Sequence, residues 1–554
     1  MNMDKLLKSV EPRFDEAVSM PSSICHSIGY HSRLPDGCIC HSTREAIYYA
    51  LALIRSGKKK NLERAEKVIR AVLALQETNP YKQTYGIWPW FQEEPLPKMA
   101  PPDWNWADFI GAALCHILIE HKKELPKPLV KEITDALERA AWSIFRRNVQ
   151  PNYTNIALMG AAVTSAAGRI LKNDLLTEYA RERIKAFWEF TEETGGLNEY
   201  NSPTYTFIAL FETERILQLS KDPETCEYAE KLRRLIWQSL ADHYHPATGQ
   251  LAGPHSRAYA SCLNPGIIRY LTEMTGVDIP GADPKEEKTD LSLFSGETHL
   301  PCPKNIAKRF RKLPKKELES TQRFIKREPD SDSFYGTTWM TEQVAFGSIS
   351  RCCTWVQGHP LIAYWVNGKK PAVFHFNFLK NGREFSSMGL RTAQKKNIAL
   401  TAFHPLTDRG DYHIHLDHPA DQTFHAAELV LRYKLEAENA EVCELSDAVF
   451  ELRAGDWKAV VHVPEGSFEG APTACACGKT ENGAYVDIIC YAGPEKAFKF
   501  DESLQDQLAV SVEILKADEK VSADLPDVKS KGDTVTAAWR GLNVTVPLHG
   551  VPYD

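Results

Sequence analysis

The chain of 554 residues has no uninterrupted apolar run of the roughly 18 residues a helix needs to cross a bilayer, so no membrane-spanning segment is expected. The opening stretch, MNMDKLLKSVEPRFDEA, lacks the apolar core of a secretory leader and carries early acids. A basic excess is also missing: 66 Lys and Arg stand against 73 Asp and Glu, for a formal net charge of −7. That balance speaks against a nucleic-acid partner, whose binding face is normally basic. The 13 cysteines are odd in number and irregular in spacing, and with no secretory leader the simplest reading is reduced thiols in a cytoplasmic protein. No set of Cys and His has convincing metal-ligand spacing. The nearest candidates are 38-CICH-41 and the His- and Asp-rich 404-HPLTDRGDYHIHLDH-418, where His413 and His415 would share a strand face. No metal or cofactor is therefore expected. With 43% hydrophobic and 25% charged residues the composition is that of a globular protein, and its length leads us to expect two or three domains.

What is present divides into two halves. From about 42 to 276, apolar residues recur at three- and four-residue spacing, which predicts helices near 42–57, 61–77, 104–121, 127–146, 152–172, 176–193, 204–220, 223–242 and 263–276. Ser42-Thr43 and Ser202-Pro203-Thr204 read as helix starts, and Gly57, Gly168 and Gly195-Gly196 as helix ends. The connections alternate. Those at 58–60, 122–126, 173–175 and 221–222 are short. Those at 78–103, 147–151, 194–203 and 243–262 are long and rich in aromatic and polar residues. In an up-and-down array alternate connections lie at opposite ends, so the long ones should share a rim. The recurrence at roughly 50 residues reads as stacked helical hairpins, an α/α toroid, either incomplete or of six hairpins.

Residues 277–333 are charged and rich in proline. From 335 onward the period changes to alternation in PLIAYWV, PAVFHFNF, ELVLRYKLEA, WKAVVHVP and LAVSVEIL, which predicts antiparallel strands separated by turn residues. The expected order is an α/α toroid over 1–290, an irregular linker over 291–334 and an antiparallel β-sandwich over 335–554.

Two of the long connections concentrate chemistry. The stretch 198-NEYNSPTY-205 offers Glu199, Asn201 and Tyr205, and 253-GPHSRAYA-260 offers His255, Arg257 and Tyr259. Arg257 carries a planar, permanently charged fork suited to a carboxylate. His255 titrates near neutrality, and a phenol can donate or accept a proton. If the segment is extended, residues 255, 257 and 259 fall on one face. Asn201 reads as a carboxylate partner, Tyr205 as a second phenol and Glu199 as a group orienting His255 or Arg257. Asn155 falls in the first turn of its helix and His41 just before another, both at the rim. A third connection holds Trp88, Trp90, Asp103, Trp104 and Trp106, whose indoles suit the apolar faces of sugar rings and whose acid suits their hydroxyls. Helices starting near 42, 104, 152 and 204 would direct their positive dipole ends to the same rim, which favours an anionic ligand.

This domain order with these loops resembles the α/α-toroid polysaccharide lyases of the heparinase II/III-like and alginate-lyase-like kind. The resemblance implies β-elimination on a uronate-containing polysaccharide or oligosaccharide, with Tyr and His moving protons and Asn, Arg or His neutralising the uronate carboxylate. Related toroid glycosidases keep two readings open. One is a uronic-acid hydrolase using paired carboxyl groups among Glu93, Glu94, Asp103, Asp108 and Glu199. The other is a carbohydrate-binding scaffold without catalysis. Homo-oligomerisation is left open by the sequence.

Overall fold

A computed structural model describes residues 3–26, 31–281, 296, 299–501 and 503–553. Ten helices of eight or more residues lie among them: α1 (Met3–Val10), α2 (Thr43–Arg55), α3 (Lys59–Leu73), α4 (Trp106–Glu120), α5 (Lys127–Arg147), α6 (Thr154–Leu171), α7 (Asp174–Thr194), α8 (Tyr205–Leu219), α9 (Pro223–His243) and α10 (Pro265–Thr275). All but α1 were expected from apolar periodicity. Ser42 caps α2 by accepting the Glu45 amide, and Ser202 Oγ accepts the Tyr205 amide at 2.8 Å at the start of α8. Gly168 has a different role from the one its position suggested. It lies inside α6, where a Cβ would meet the Thr177 amide nitrogen at 2.8 Å, so it lets α7 approach closely. Helices α2, α4 and α6 are buried almost all round and pack side by side, while α3 and α5 are amphipathic and cover them. No helix among the described residues is long and apolar enough to cross a membrane.

The second half is antiparallel. One sheet runs in the order Ala474–Thr480, Gly483–Lys499, Thr423–Glu436, Ala372–Lys380, Leu361–Trp365, Val344–Ile349, Phe334–Thr341 and Glu317–Ile325. The other runs Arg351–Cys353, Met388–Lys395, Ile398–Pro405, Asp506–Lys516, Trp457–His462, Val449–Ala454 and Glu441–Ser446. Alternate residues Phe374, Phe376 and Phe378 of the first pack with Leu390, Phe403, Val461 and Val510 of the second, so the two sheets form a β-sandwich around one apolar core. A three-stranded sheet over 527–547 buries Val535, Ala537 and Val544 against the outer face of Leu400, Ala402 and Ala509.

The expected order of helices followed by antiparallel sheets holds. The compact units differ from the expected 1–290, 291–334 and 335–554. One comprises Met1–Glu192, Phe207–Trp237 and Asp283–Pro301, and the other Glu193–Thr206, Gln238–Ala282 and Cys302–Asp554. Strand Glu317–Ile325 lies inside the segment expected to be a linker. The charged stretch 280-PGADPKEEK-288, just before that segment, falls largely outside the described residues. Residues 411–417 are turns and bends, so His413 and His415 do not share a strand face. The Asp417 carboxylate instead accepts the amides of Tyr412 and His413.

Candidate active site

The two chemistry-rich loops belong to the same compact unit as the sheets and are bound to each other there. The 253–260 loop lies on the strand pair 344–349 and 361–365. It approaches so closely that a Cβ on Gly347 would fall 1.9 Å from Gly253 O, and a Cβ on Gly253 would fall 2.0 Å from Ile362 Cγ2. Glycine is required at both positions by this contact. Thr338 Oγ1 donates to Gly253 O at 2.7 Å, and His255 and His359 exchange backbone hydrogen bonds at 3.0 Å in each direction. The 198–205 loop is fastened to the 253–260 loop by Asn201, whose backbone is left-handed at φ 47°. Its Nδ2 donates to Ala252 O at 2.6 Å and to Pro254 O at 3.0 Å. Both amide protons are thus committed to backbone carbonyls, and Asn201 acts as a clip between loops instead of a carboxylate partner.

His255 also differs from expectation. It is buried, with Nδ1 2.6 Å from Asn201 O and Nε2 3.0 Å from the Tyr364 hydroxyl. Burial lowers its pKa to about 4, so the imidazole is neutral at pH 7. A carbonyl can only accept, which fixes the proton on Nδ1 and leaves Nε2 to accept from Tyr364. The Tyr364 hydroxyl also faces Ser261 O, so one proton serves two acceptors. His255 is therefore a buried strut. The reason is that the loop is a series of bends and not a strand: residue 255 points inward while Tyr259, four residues on, is 59% exposed. Residues 255, 257 and 259 do not share a face.

Tyr205, Tyr259, Arg257 and Glu199 do come together. The Tyr205 and Tyr259 hydroxyls are 2.5 Å apart. Tyr205 is buried, which raises its phenol well above the ordinary value against the opposing pull of Arg257. It stays protonated, and within the pair either hydroxyl can donate to the other. The Arg257 guanidinium lies 4.1 Å from the Tyr205 ring centroid and 5.5 Å from that of Trp355. Its Nη1 donates to Glu199 Oε1 at 2.6 Å and its Nε to Gln357 Oε1 at 2.9 Å. Ser202 Oγ donates to Arg257 O, so the residue that caps α8 also holds the second loop in register.

The sheet supplies residues that sequence reasoning missed: Trp355, Gln357, His359, Tyr364, His375 and Glu436. The run 355-WVQGH-359, aromatic, amide and imidazole between two strands, was the available signal. His359 and His375 are buried, their ring centroids 4.9 Å apart, and burial lowers the pKa of both. His375 Nε2 lies 3.1 Å from Glu436 Oε1, and Ser261 Oγ donates to Glu436 Oε2 at 2.8 Å. The Nδ1 atoms of both histidines are buried without a hydrogen-bond partner among the described residues.

The remaining expected site residues belong to the helical unit. His41 is buried between Glu93, which Nδ1 contacts, and Asp15, 3.4 Å from Nε2. Trp88 is a core residue whose Nε1 donates to Val72 O. Trp106 is buried, donates to Thr43 Oγ1 at 2.9 Å and stacks on Trp90 at 4.9 Å. Asp103 accepts from Trp90 Nε1 at 3.1 Å and from the Asn105 amide at 2.9 Å. Asn155 is buried in the first turn of α6. Trp104 lines a surface pocket. Among the carboxylates expected for hydrolysis, Glu94 Oε1 accepts the Arg33 amide, and Asp108 is buried. Burial raises Asp108 to about 7, with Arg147 and Arg183 pulling the other way.

Comparison with known proteins gives three results. A family described as a domain of unknown function (DUF8769) matches residues 14–278. No curated protein matches the chain. Among solved structures, one described as heparinase III is similar over 99% of this chain and 90% of its own, at 11% identity and a TM-score of 0.41. A second, described as the heparinase III-BT4657 gene product with methylated lysines, is similar over 99% of this chain and 92% of its own, at 10% identity and a TM-score of 0.39.

Proposed function

We propose that this protein is a carbohydrate-active enzyme that cleaves uronate-containing saccharides by β-elimination, with Tyr259 as the proton-transfer group. The observation that carries the reading is an exposed phenol backed by a buried one, the two oxygens 2.5 Å apart, with a guanidinium over the buried ring. Elimination removes a weakly acidic C5 proton and protonates the glycosidic oxygen on C4. A single residue that reaches both atoms can accept the first proton and deliver it to the second. When Tyr259 holds negative charge, the Tyr205 hydroxyl donates to it and Arg257 lies close by, so the charge falls in a prepared field. Arg257, held by Glu199 and Gln357 beside the Tyr205 ring, is also the group we assign to a uronate carboxylate. Asn201 and His255 serve this chemistry indirectly, by fixing the two loops to each other and to the sheet.

The test is a product assay on a panel of uronate oligosaccharides, following ultraviolet absorbance together with new reducing ends. Elimination predicts both signals in equal amounts and the loss of both in Tyr259→Phe. New reducing ends without absorbance would overturn it in favour of hydrolysis. The buried carboxyl of Asp108, which keeps much of its proton near neutrality, is the observation that favours this second reading.

A further inference from the structure

The helical unit carries a pocket that plays no part in this chemistry. It has a volume of about 310 Å³ and is lined by Gln83, Trp104, Ser143, Arg146 and Arg147. None of these is acidic. The two arginines occupy the last turn of α5, where the negative helix end attracts a cation. That attraction accounts for basic residues there but not for how they are held. Arg147 Nη1 donates to Asn105 Oδ1 at 2.6 Å, and Asn105 Nδ2 in turn donates to the Tyr153 hydroxyl at 3.1 Å. The Arg146 guanidinium lies 4.9 Å from the Tyr85 ring centroid, with Nη2 donating to Tyr85 O at 3.3 Å. Neutral oxygens and a ring face thus orient both guanidiniums, and among the described residues neither has a carboxylate within ion-pair distance. Trp104 is half-buried, with its Nε1 donating to Gln83 O at 3.3 Å, which fixes the indole as one wall.

We propose that this pocket binds an acidic sugar residue, with the ring against the Trp104 indole and a carboxylate or sulfate on Arg146 and Arg147. An indole wall suits the C–H face of a pyranose, an amide and a hydroxyl suit its hydroxyls, and two guanidiniums with no carboxylate in ion-pair contact among the described residues suit an anion. The site is built entirely from the helical unit. It shares with the lyase reading the class of ligand and none of the residues that carry out the reaction.

The experiment is calorimetric titration of the full chain carrying Tyr259→Phe, with a hexauronate and with a neutral hexaglucan as probes. Trp104→Ala and Arg146→Ala are then added separately to the same background. Both side chains are at least partly exposed, and an unchanged melting midpoint checks that the fold is kept. The expected result is hexauronate binding that weakens about tenfold in each variant and that declines with added salt. Unchanged hexauronate affinity in both variants would overturn the proposal, as would equal affinity for the neutral hexaglucan. Because the readout is binding, it does not depend on which residue cleaves. The product assay of Tyr259→Phe in turn does not depend on this pocket, so the two readings fail separately.

Discussion

Removing each phenol oxygen in turn separates the group that moves the proton from the group that supports it. Tyr259 is 59% exposed and Tyr205 is buried, with 2.5 Å between their oxygens. Tyr259→Phe deletes the transferring atom, and general acid–base catalysis contributes about 10²- to 10⁴-fold in rate. Tyr205→Phe deletes one hydrogen bond to an oxygen that is charged only during the reaction. Such a bond is worth about 1.5–3 kcal/mol. At about 1.4 kcal/mol per tenfold, the rate should fall roughly 10- to 150-fold. The bond matters most when the charge develops, so the loss should appear in kcat with little change in KM. The double variant should be no slower than Tyr259→Phe alone, because the Tyr205 hydroxyl then has no oxygen to support. The assay is initial-rate absorbance of the unsaturated product over a range of substrate concentrations. A Tyr205→Phe loss larger than the Tyr259→Phe loss, or multiplicative losses in the double variant, would refute the assigned roles.

Other consequences concern the scaffold. His255→Ala removes the buried link between Asn201 O and Tyr364, so denaturant unfolding should show a loss of about 2–4 kcal/mol. Gly347→Ala places a methyl group against Gly253 O and should lower both stability, by about 1–3 kcal/mol, and turnover, because it lifts the loop that carries Arg257 and Tyr259. Asp506 is fully buried, both its carboxylate oxygens lack a partner among the described residues, and burial raises its pKa well above the ordinary value. Above the unfolded-state pKa the folded chain keeps a proton that the unfolded chain has lost. Stability should therefore fall by about 1.4 kcal/mol per pH unit until the folded pKa is reached. Asp506→Asn should remove that slope, and parallel unfolding curves for the two chains between about pH 4 and pH 8 would contradict it.

Local pattern in the sequence sufficed for the elements and their order. Three- and four-residue apolar spacing marked α2 through α10, and alternation marked the strands, because each element must bury one face and the spacing records which. The sequence also marked 198–205 and 253–260 as carrying more chemistry than a connection needs. What each residue does there was decided by packing. Asn201 and His255 have the chemistry of catalytic groups, yet the tertiary structure uses their hydrogen bonds on Ala252, Pro254, Asn201 O and Tyr364. Trp88 and Trp106 are core residues while Trp104 lines a pocket, a difference that three similar indoles in one connection do not record. The contributions of Trp355, Gln357 and His359 come from a chain segment about 100 residues away in sequence. A contact of that range leaves no periodicity to read, because it is set by the strand register that brings 359 opposite 255 and by the two glycines that let the backbones meet.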